Sequence, residues 1–527
     1  MRVPMVMRLS AAALLAACGG SSGPTGPSGP PAITVVNGAT LPSGTIGATV
    51  VIEGHNFGTS QGVASGHVVF STTAGGRDTA AIASAADWTN LLIVTTVPAG
   101  VPVGRDTLFV ETSGGTSAPI VVTVVAKVAF SPSTVSWTAT TALPVGLSGH
   151  AVAAATLPGV TSTSVVYIVG GADSTDAPRD SVLYATVSNT GALGAWNKAT
   201  VLPAPVAYAA AVVATPSNSP VTGSSYLYVI GGDSSASGKP VATVHIGTLS
   251  AAGAVTGWAT TTSLPAAVHS LGAVIFNGTM YVAGGSRSGN APVATVYRAV
   301  IQSDGMQGAW QALPSLPFAR SYFGFGINGT SLYAMGGDSG TVTPNDSSLS
   351  AKAISDVIYA EIDVHTGNLS AVGWTANGNK LKKAVSKQTA VVAGGDVLVT
   401  AGLYNGNATG ATEESYAGLN SDGSTTAFNG ATGANTISSA GGGNLFNHAA
   451  TGYLDATGAF HVLVVGGDDV NTPTKKHKGV FTTDGPMPEE GVELSRGCPR
   501  GILRTGLSLD GVGGNAYDPQ ALNSSRT

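Results

Sequence analysis

The sequence predicts an all-β fold, and three observations carry that expectation. A strand ending in paired glycines returns six times between residues 165 and 467. Beyond the first twenty positions no 3.6-residue amphipathic period persists, while apolar runs rich in Val, Ile, Thr and Tyr alternate with turn residues. Charged residues make up only 10% of the chain, and 73 of its 527 residues are glycine, which suits many short strands joined by turns.

The six copies are Val165–Gly171, Tyr226–Gly232, Met280–Gly285, Leu332–Gly337, a degenerate Val397–Gly402 and His461–Gly467. Their second glycines are 52 to 65 residues apart, within the range of a β-propeller blade. A unit repeated in this way cannot bury its own apolar face and must pack on its neighbours. Four copies continue into a hairpin that ends in tryptophan: Asn189–Trp196, Ala251–Trp258, Ser303–Trp310 and His365–Trp374. Glycines in these hairpins supply the positive φ that tight turns require.

The order paired glycine, tyrosine (Tyr184, Tyr297, Tyr359 or Tyr416), then Trp196, Trp310 or Trp374 about a dozen residues later resembles the kelch repeat. His245 replaces the tyrosine in the second copy, and Phe428 stands near the missing tryptophan of the fifth. The resemblance spans about 350 residues and implies a six-bladed kelch-type β-propeller over residues 127–485. Trp137 precedes the first paired-glycine strand, and no tryptophan follows the sixth. Val128–Thr138 is therefore expected to supply the outer strand of the last blade and so close the ring.

Residues 32–126 hold a separate run of short strands bounded by Gly, Pro or Ser, as in a β-sandwich. The strand into Gly54-His55-Asn56-Phe57-Gly58, then Val97-Pro98, Gly104 and a valine-rich last strand, resembles an IPT/TIG immunoglobulin-like domain. That resemblance implies a spacer or protein-contact module. His55 and His67 read as exposed loop histidines, because no third ligand accompanies them as a metal site would need.

At the start, Arg2 and Arg8 precede an apolar run from Leu9 to Ala17, which reads as a secretory signal too short to span a membrane. Leu15-Ala16-Ala17-Cys18 resembles the bacterial lipoprotein signal, which implies cleavage after residue 17, lipid on Cys18 and export to the cell envelope. With Gly19 rather than Asp after the cysteine, the outer membrane is the expected destination. Residues 18–31 read as a disordered Gly/Ser/Pro tether, and residues 486–527, with Cys498, as an aperiodic tail. Two cysteines exclude a disulfide framework or a multi-cysteine metal centre. The net charge of −5, without a basic stripe, speaks against nucleic acid as a partner.

In the propeller reading, the loops entering each inner strand and those after each paired glycine share one face, the default binding surface. Alignment of the repeats puts His150, Tyr208, His269, Ser321, Ser386 and His448 in one register, with Arg320, Tyr322 and Lys387 beside them. Two readings stand. These residues form a polar ring that holds a glycan or an acidic group, or they hydrogen-bond the strand starts and solvate the channel. The loops after the glycines add Asp173, Asp176, Arg179, Asp233, Lys239, Arg287, Asn290, Asp338, Asn345, Asp468, Asp469 and Asn471. Each acidic member alone is more often a turn former than a ligand.

The expected function is that of a lipid-anchored envelope protein that binds a glycan or a protein, with no catalytic residue, cofactor or metal assigned. The alternative is a carbohydrate-active propeller. Galactose oxidase-like kelch proteins require a tyrosine cross-linked to cysteine, and residues 127–485 contain no cysteine. A propeller resembling the sialic acid mutarotases requires an acid/base at the channel. Glu361, Glu413 and Glu414 are the glutamates of these blades, and none falls in the channel register. Labelled palmitate is expected to enter the wild-type chain expressed in a Gram-negative bacterium and to be absent from Cys18→Ser.

Overall fold

The computed structural model describes residues 29–36, 43–58, 66–71, 76–125, 135–157, 164–216, 224–235, 239–342, 352–393, 395–404, 414–430, 436–438, 440, 444–455, 460–469 and 472–483. Cys18, Cys498, Asn345, Glu413, Asn471 and most of the tether and tail lie outside them. The described chain is all-β, built from many antiparallel sheets.

Residues 32–125 form two sheets over one apolar core. Ala32–Val36, Thr49–His55 and Leu92–Thr96 make the first. Ser43–Thr45, Ile120–Val125, Gly104–Thr112, His67–Ser71 and Arg77–Ala80 make the second, where Ser43–Thr45 runs parallel to its neighbour. Val50, Ile52, Ile93, Val68, Phe70, Leu108 and Val110 meet between them around Trp88. The Trp88 indole N–H donates to the Phe57 carbonyl at 2.9 Å, which fixes the Gly54–Gly58 turn against the core. His55 and His67 are exposed, as expected, but they terminate strands rather than sit in loops.

Six four-stranded antiparallel sheets follow. Each begins with a strand of small residues, such as Ala151–Thr156 or Ala210–Ala214, and continues with a paired-glycine strand, such as Ser164–Val169 or Ser225–Ile230. The paired-glycine strands are buried almost throughout because sheets cover both their faces, which is why they read as largely apolar runs. The first strands pack on one another in sequence order, and that of the sixth sheet returns to that of the first. Among the described residues no single sheet closes on itself, so the cycle is made by packing between sheets.

The sixth sheet takes its outer strand from the other end of the repeat region. Trp137–Ala139 pairs antiparallel with Val480–Thr483, matching Trp137 to Thr483 and Ala139 to Phe481. This is the role the sequence suggested for Val128–Thr138, of which residues 128–134 lie outside the described part.

The paired glycines have a shared cause. The second glycine of each sheet donates its amide to a carbonyl of the next sheet: Gly171 to Val206, Gly232 to Val268, Gly285 to Arg320, Gly337 to Val385, Gly402 to Leu445 and Gly467 to Leu147, at 2.8–2.9 Å. The first glycine has φ of 56–61° in five sheets. In three of them a Cβ there would lie 2.6 Å from the same accepting carbonyl (Val268, Arg320 or Leu147). Both backbone strain and closeness therefore demand glycine.

Ala401 breaks the pattern and holds φ 41°. Ala401→Gly trades a buried methyl for relief of that strain and is expected to be neutral or stabilising by up to about 1 kcal/mol. Gly231→Ala should cost about 2 kcal/mol or more, because strain and the Val268 carbonyl act together. Urea unfolding of the two variants checks the opposite signs.

Candidate functional site

A second set of backbone hydrogen bonds runs around the same end of the six sheets. Tyr208 donates to Gly149, Ser270 to Tyr208, Tyr322 to Ser270, Lys387 to Tyr322, Asn447 to Lys387 and Gly149 to Asn447, at 2.6–3.3 Å. The circuit is complete. All six residues are left-handed, with φ between 52° and 57°. Only Gly149 adopts that conformation without strain; for Tyr208, Tyr322 and Lys387 it costs on the order of 1–2 kcal/mol each.

This circuit borders a cavity of about 190 Å³ lined by residues from the first strands of all six sheets. That volume holds roughly a dozen waters. Each first strand is the edge of its sheet, so it pairs through the backbone on one side only. Small side chains (Ala151, Ala210, Ala211, Gly272, Ala273, Ala449 and Ala450) keep the space open.

The structure corrects the register expected from the sequence. The positions equivalent to one another are Gly149, Tyr208, Ser270, Tyr322, Lys387 and Asn447. His150 and His448 lie one residue after their left-handed position, whereas His269, Ser321 and Ser386 lie one before theirs. The three histidines thus do not share a register. The earlier position bridges to the residue after each paired glycine, as in Ser148 to Ala172, His269 to Ser286 and Ser321 to Asp338.

Five of the expected site residues line the cavity: His150, Tyr208, Tyr322, Lys387 and His448. His269, Arg320 and Ser321 do not, and all three are fully buried. The His269 ring bonds Ser270 Oγ at 3.0 Å and Asn290 Oδ1 at 3.2 Å, so it braces the loop after the third paired glycine. Arg320 donates to the Gly336 carbonyl at 3.2 Å, and burial lowers its pKa to about 10. Gln388, Asn447 and Ser270 join the cavity unannounced, although Gln388 directly follows Lys387 in the sequence.

Tyr208, His269 and Tyr322 meet edge to face, with ring centroids 6.0–6.4 Å apart. The Lys387 ammonium stands 5.5 Å from the centroids of both Tyr322 and Phe446, a cation–π arrangement. Burial holds both cavity histidines well below the ordinary imidazole value. His150 falls to about 4, partly offset by the nearby Val465 backbone, though neither ring nitrogen makes a hydrogen bond of good geometry among the described residues. His448 falls to about 3, with nearby His150 adding to the effect, and its Nε2 meets Thr400 Oγ1 at 2.8 Å.

The acidic residues after the glycines mostly shape their own loops. Asp173 Oδ1 accepts the Thr175 amide at 2.8 Å, and Asp338 Oδ1 accepts that of Gly340 at 2.7 Å. Asp233 acts likewise on Ser235 and Lys239. Among the described residues no group of three or more His, Cys, Asp or Glu is arranged to hold a metal.

No protein-family model and no curated protein matches the sequence. Among solved structures, one titled "Structure of YjhT" aligns at 12% identity with a TM-score of 0.46, covering 65% of this chain and 95% of that one.

Glu414 is buried away from the cavity. Its Oε1 accepts the Ile437 amide at 3.0 Å, and burial raises the carboxyl to about 8. Unfolded, this carboxyl ionises near 4.5, so the stability it contributes is complete below that pH and is lost as pH rises through about 8. The two histidines act in the opposite sense: their contribution is complete above pH 6.5 and is lost as pH falls towards 4 and 3. Glu414→Gln should therefore gain stability over wild type at pH 8 relative to pH 5, on the order of a few kcal/mol, as read by urea unfolding at the two pH values.

Proposed function

We propose that this chain is an exported binding protein in which an Ig-like sandwich of the IPT/TIG type carries a six-bladed kelch-type propeller, and that the axial cavity binds a glycan. The cyclic packing of six sheets, the tryptophan hairpins and the outer strand lent by residues 137–139 support the propeller reading. The signal-like start and Cys18 support a lipid anchor in the bacterial envelope, with the outer membrane as its site.

One observation carries the binding role. Tyr208, Tyr322 and Lys387 are held left-handed on one cavity, at positions where the first sheet manages with Gly149. Strain of this kind persists where the surroundings impose it, and it concentrates at ligand sites. Glycine at Tyr208 and Tyr322 would relieve the backbone but remove the aromatic surface on which a sugar face can stack.

The test is a glycan array probed with the full chain in detergent, alongside a Tyr208→Gly/Tyr322→Gly variant. Wild type is expected to bind a restricted set of glycans. The double variant should lose that binding while remaining folded by circular dichroism at the assay temperature, with a lowered melting point, since lost packing of about 3–5 kcal/mol per ring exceeds the strain relieved. A wild-type chain that binds no glycan, or a variant that binds as well, would overturn the proposal.

A further inference from the structure

Five of the six seams between sheets are built alike at the paired-glycine end. In each, a leucine amide donates to the carbonyl just before the preceding sheet's third strand: Leu143 to Lys478, Leu202 to Asp180, Leu264 to Ala242, Leu316 to Ala294 and Leu381 to Ser355, at 2.8–2.9 Å. The residue after that leucine is proline in four seams but Lys382 in the fifth. The next position reads Val145, Ala204, Ala266, Phe318 and then Lys383. Lys239 and Lys352 share another position, where the loops after the second and fourth paired glycines close: Ser234 donates to Lys239 and Ser339 to Lys352, at 3.0–3.1 Å.

Charge is unevenly spread over these seams. From the second to the fifth sheet, this end exposes six cations: Lys239, Arg287, Lys352, Lys380, Lys382 and Lys383. Among the described residues there, Asp356, 2.6 Å from Lys380, is the one carboxylate that is not buried. Leu381 donates to Ser355 and Val385 to Ile354, which lays the segments of Lys352 and Lys380–Lys383 side by side. Around the first and sixth sheets the charges pair instead, Arg179 with Asp173 at 3.4 Å and Lys476 with Asp176 and Asp468 at 2.6 Å. The opposite ends of the third, fourth and fifth sheets expose Asp304, Glu361 and Asp422, so a net charge of −5 conceals a polarised propeller.

The seams do not need these cations, since proline, alanine, valine or phenylalanine serves at the same positions elsewhere. Six like charges on one surface repel one another, and a polyanion would relieve that repulsion. We infer that this surface docks an acidic polysaccharide. The inference goes beyond the cavity reading and does not rest on it. Five of the six cations are lysines, point charges that respond to charge density rather than clamping one anion as an arginine fork does. They span four successive sheets, which suits a chain better than a small ion. Phe318, 49% exposed at the position that Lys383 fills one seam later, offers a ring for a sugar face. It is the one large apolar side chain exposed on this surface among the described residues. One ring supplies neither the apolar face that enters a lipid surface nor the series of rings that stacks nucleic-acid bases.

Titration of the full chain in detergent with polygalacturonate, dextran sulfate, neutral dextran, poly-glutamate and duplex DNA tests this. At least one acidic polysaccharide should bind, and its affinity should fall at least about tenfold between roughly 50 and 200 mM salt. Lys239→Gln/Arg287→Gln/Lys352→Gln/Lys382→Gln, all at exposed positions, should weaken it at least about tenfold. Lys198→Gln/Lys478→Gln, exposed but off this surface, should bind as wild type. Phe318→Ser should weaken the polysaccharide but not poly-glutamate. Neutral dextran binding equally well, tighter binding of poly-glutamate or DNA, an unaffected quadruple variant, or no polysaccharide binding would each overturn the inference. Tyr208→Gly/Tyr322→Gly should keep this binding. Its loss there would place the polysaccharide in the cavity and overturn the surface assignment alone, whereas binding that survives supports this surface even if the cavity reading fails.

Discussion

Two circuits of backbone hydrogen bonds, both at the paired-glycine end, hold the six sheets in register. In one, the second glycine of each sheet donates forward to the next; in the other, the left-handed residue at each first-strand start donates back. Each bond contributes only about 1 kcal/mol net, but every amide and carbonyl involved is main chain. The repeat can therefore vary almost every side chain and still close, provided that the glycine conformations survive. A buried backbone group left unpaired at one interface would be costly at that position.

The same constraint explains why the cavity sits where it does. The back-donating circuit forces a left-handed residue at each strand start, close to the axis and at the rim of the open space. Glycine is the economical choice and occurs once. Tyrosine, lysine, serine and asparagine occupy the other positions, so five sheets accept strain to present a side chain there. Among these, Asn447 binds Asp468 at 2.9 Å and helps to fix the sixth sheet, whereas Tyr208, Tyr322 and Lys387 form the aromatic and cationic part of the wall.

Much of this was legible in the sequence, because the paired glycines and tryptophans mark backbone events rather than side-chain preferences. The sheet order and the lent outer strand both follow from their phase. Local register did not follow. His150, His269 and His448 look equivalent by residue type, yet the left-handed position that separates them is filled by Gly149, Ser270 and Asn447, which share no chemistry. A conformational requirement met by Gly, Tyr, Ser, Lys and Asn leaves no composition to align. Gln388 was missed for a related reason: it reaches the cavity lining as the residue after the left-handed Lys387, and no residue type announces that conformation.

The exceptions among the tyrosines show how ring closure shaped the sequence. Three residues before the first glycine, the first four repeats carry Tyr167, Tyr228, Tyr281 and Tyr333. Tyr167 and Tyr281 each donate at 2.8 Å to a glycine carbonyl (Gly253, Gly367) in the next repeat's tryptophan hairpin, and Tyr228 donates likewise to Gly305. The fifth repeat has Leu398, and the sixth sheet beyond it takes its outer strand from residues 137–139. The seam between the fifth and sixth sheets is instead packed with Leu398, Tyr416, Trp137 and Phe481, beside the protonated Glu414. Where the sixth sheet meets the first, a hairpin exists again, and Tyr453 from a different strand reaches the Gly191 carbonyl at 2.8 Å. Lys476 reinforces that junction, with its buried ammonium 2.6 Å from both Asp176 and Asp468. Breaking such a pair leaves a buried charge uncompensated, so this junction resists opening more strongly than the apolar seam beside it. Opening of the ring should therefore begin at the seam between the fifth and sixth sheets rather than at this junction, because pH acts there on the buried Glu414.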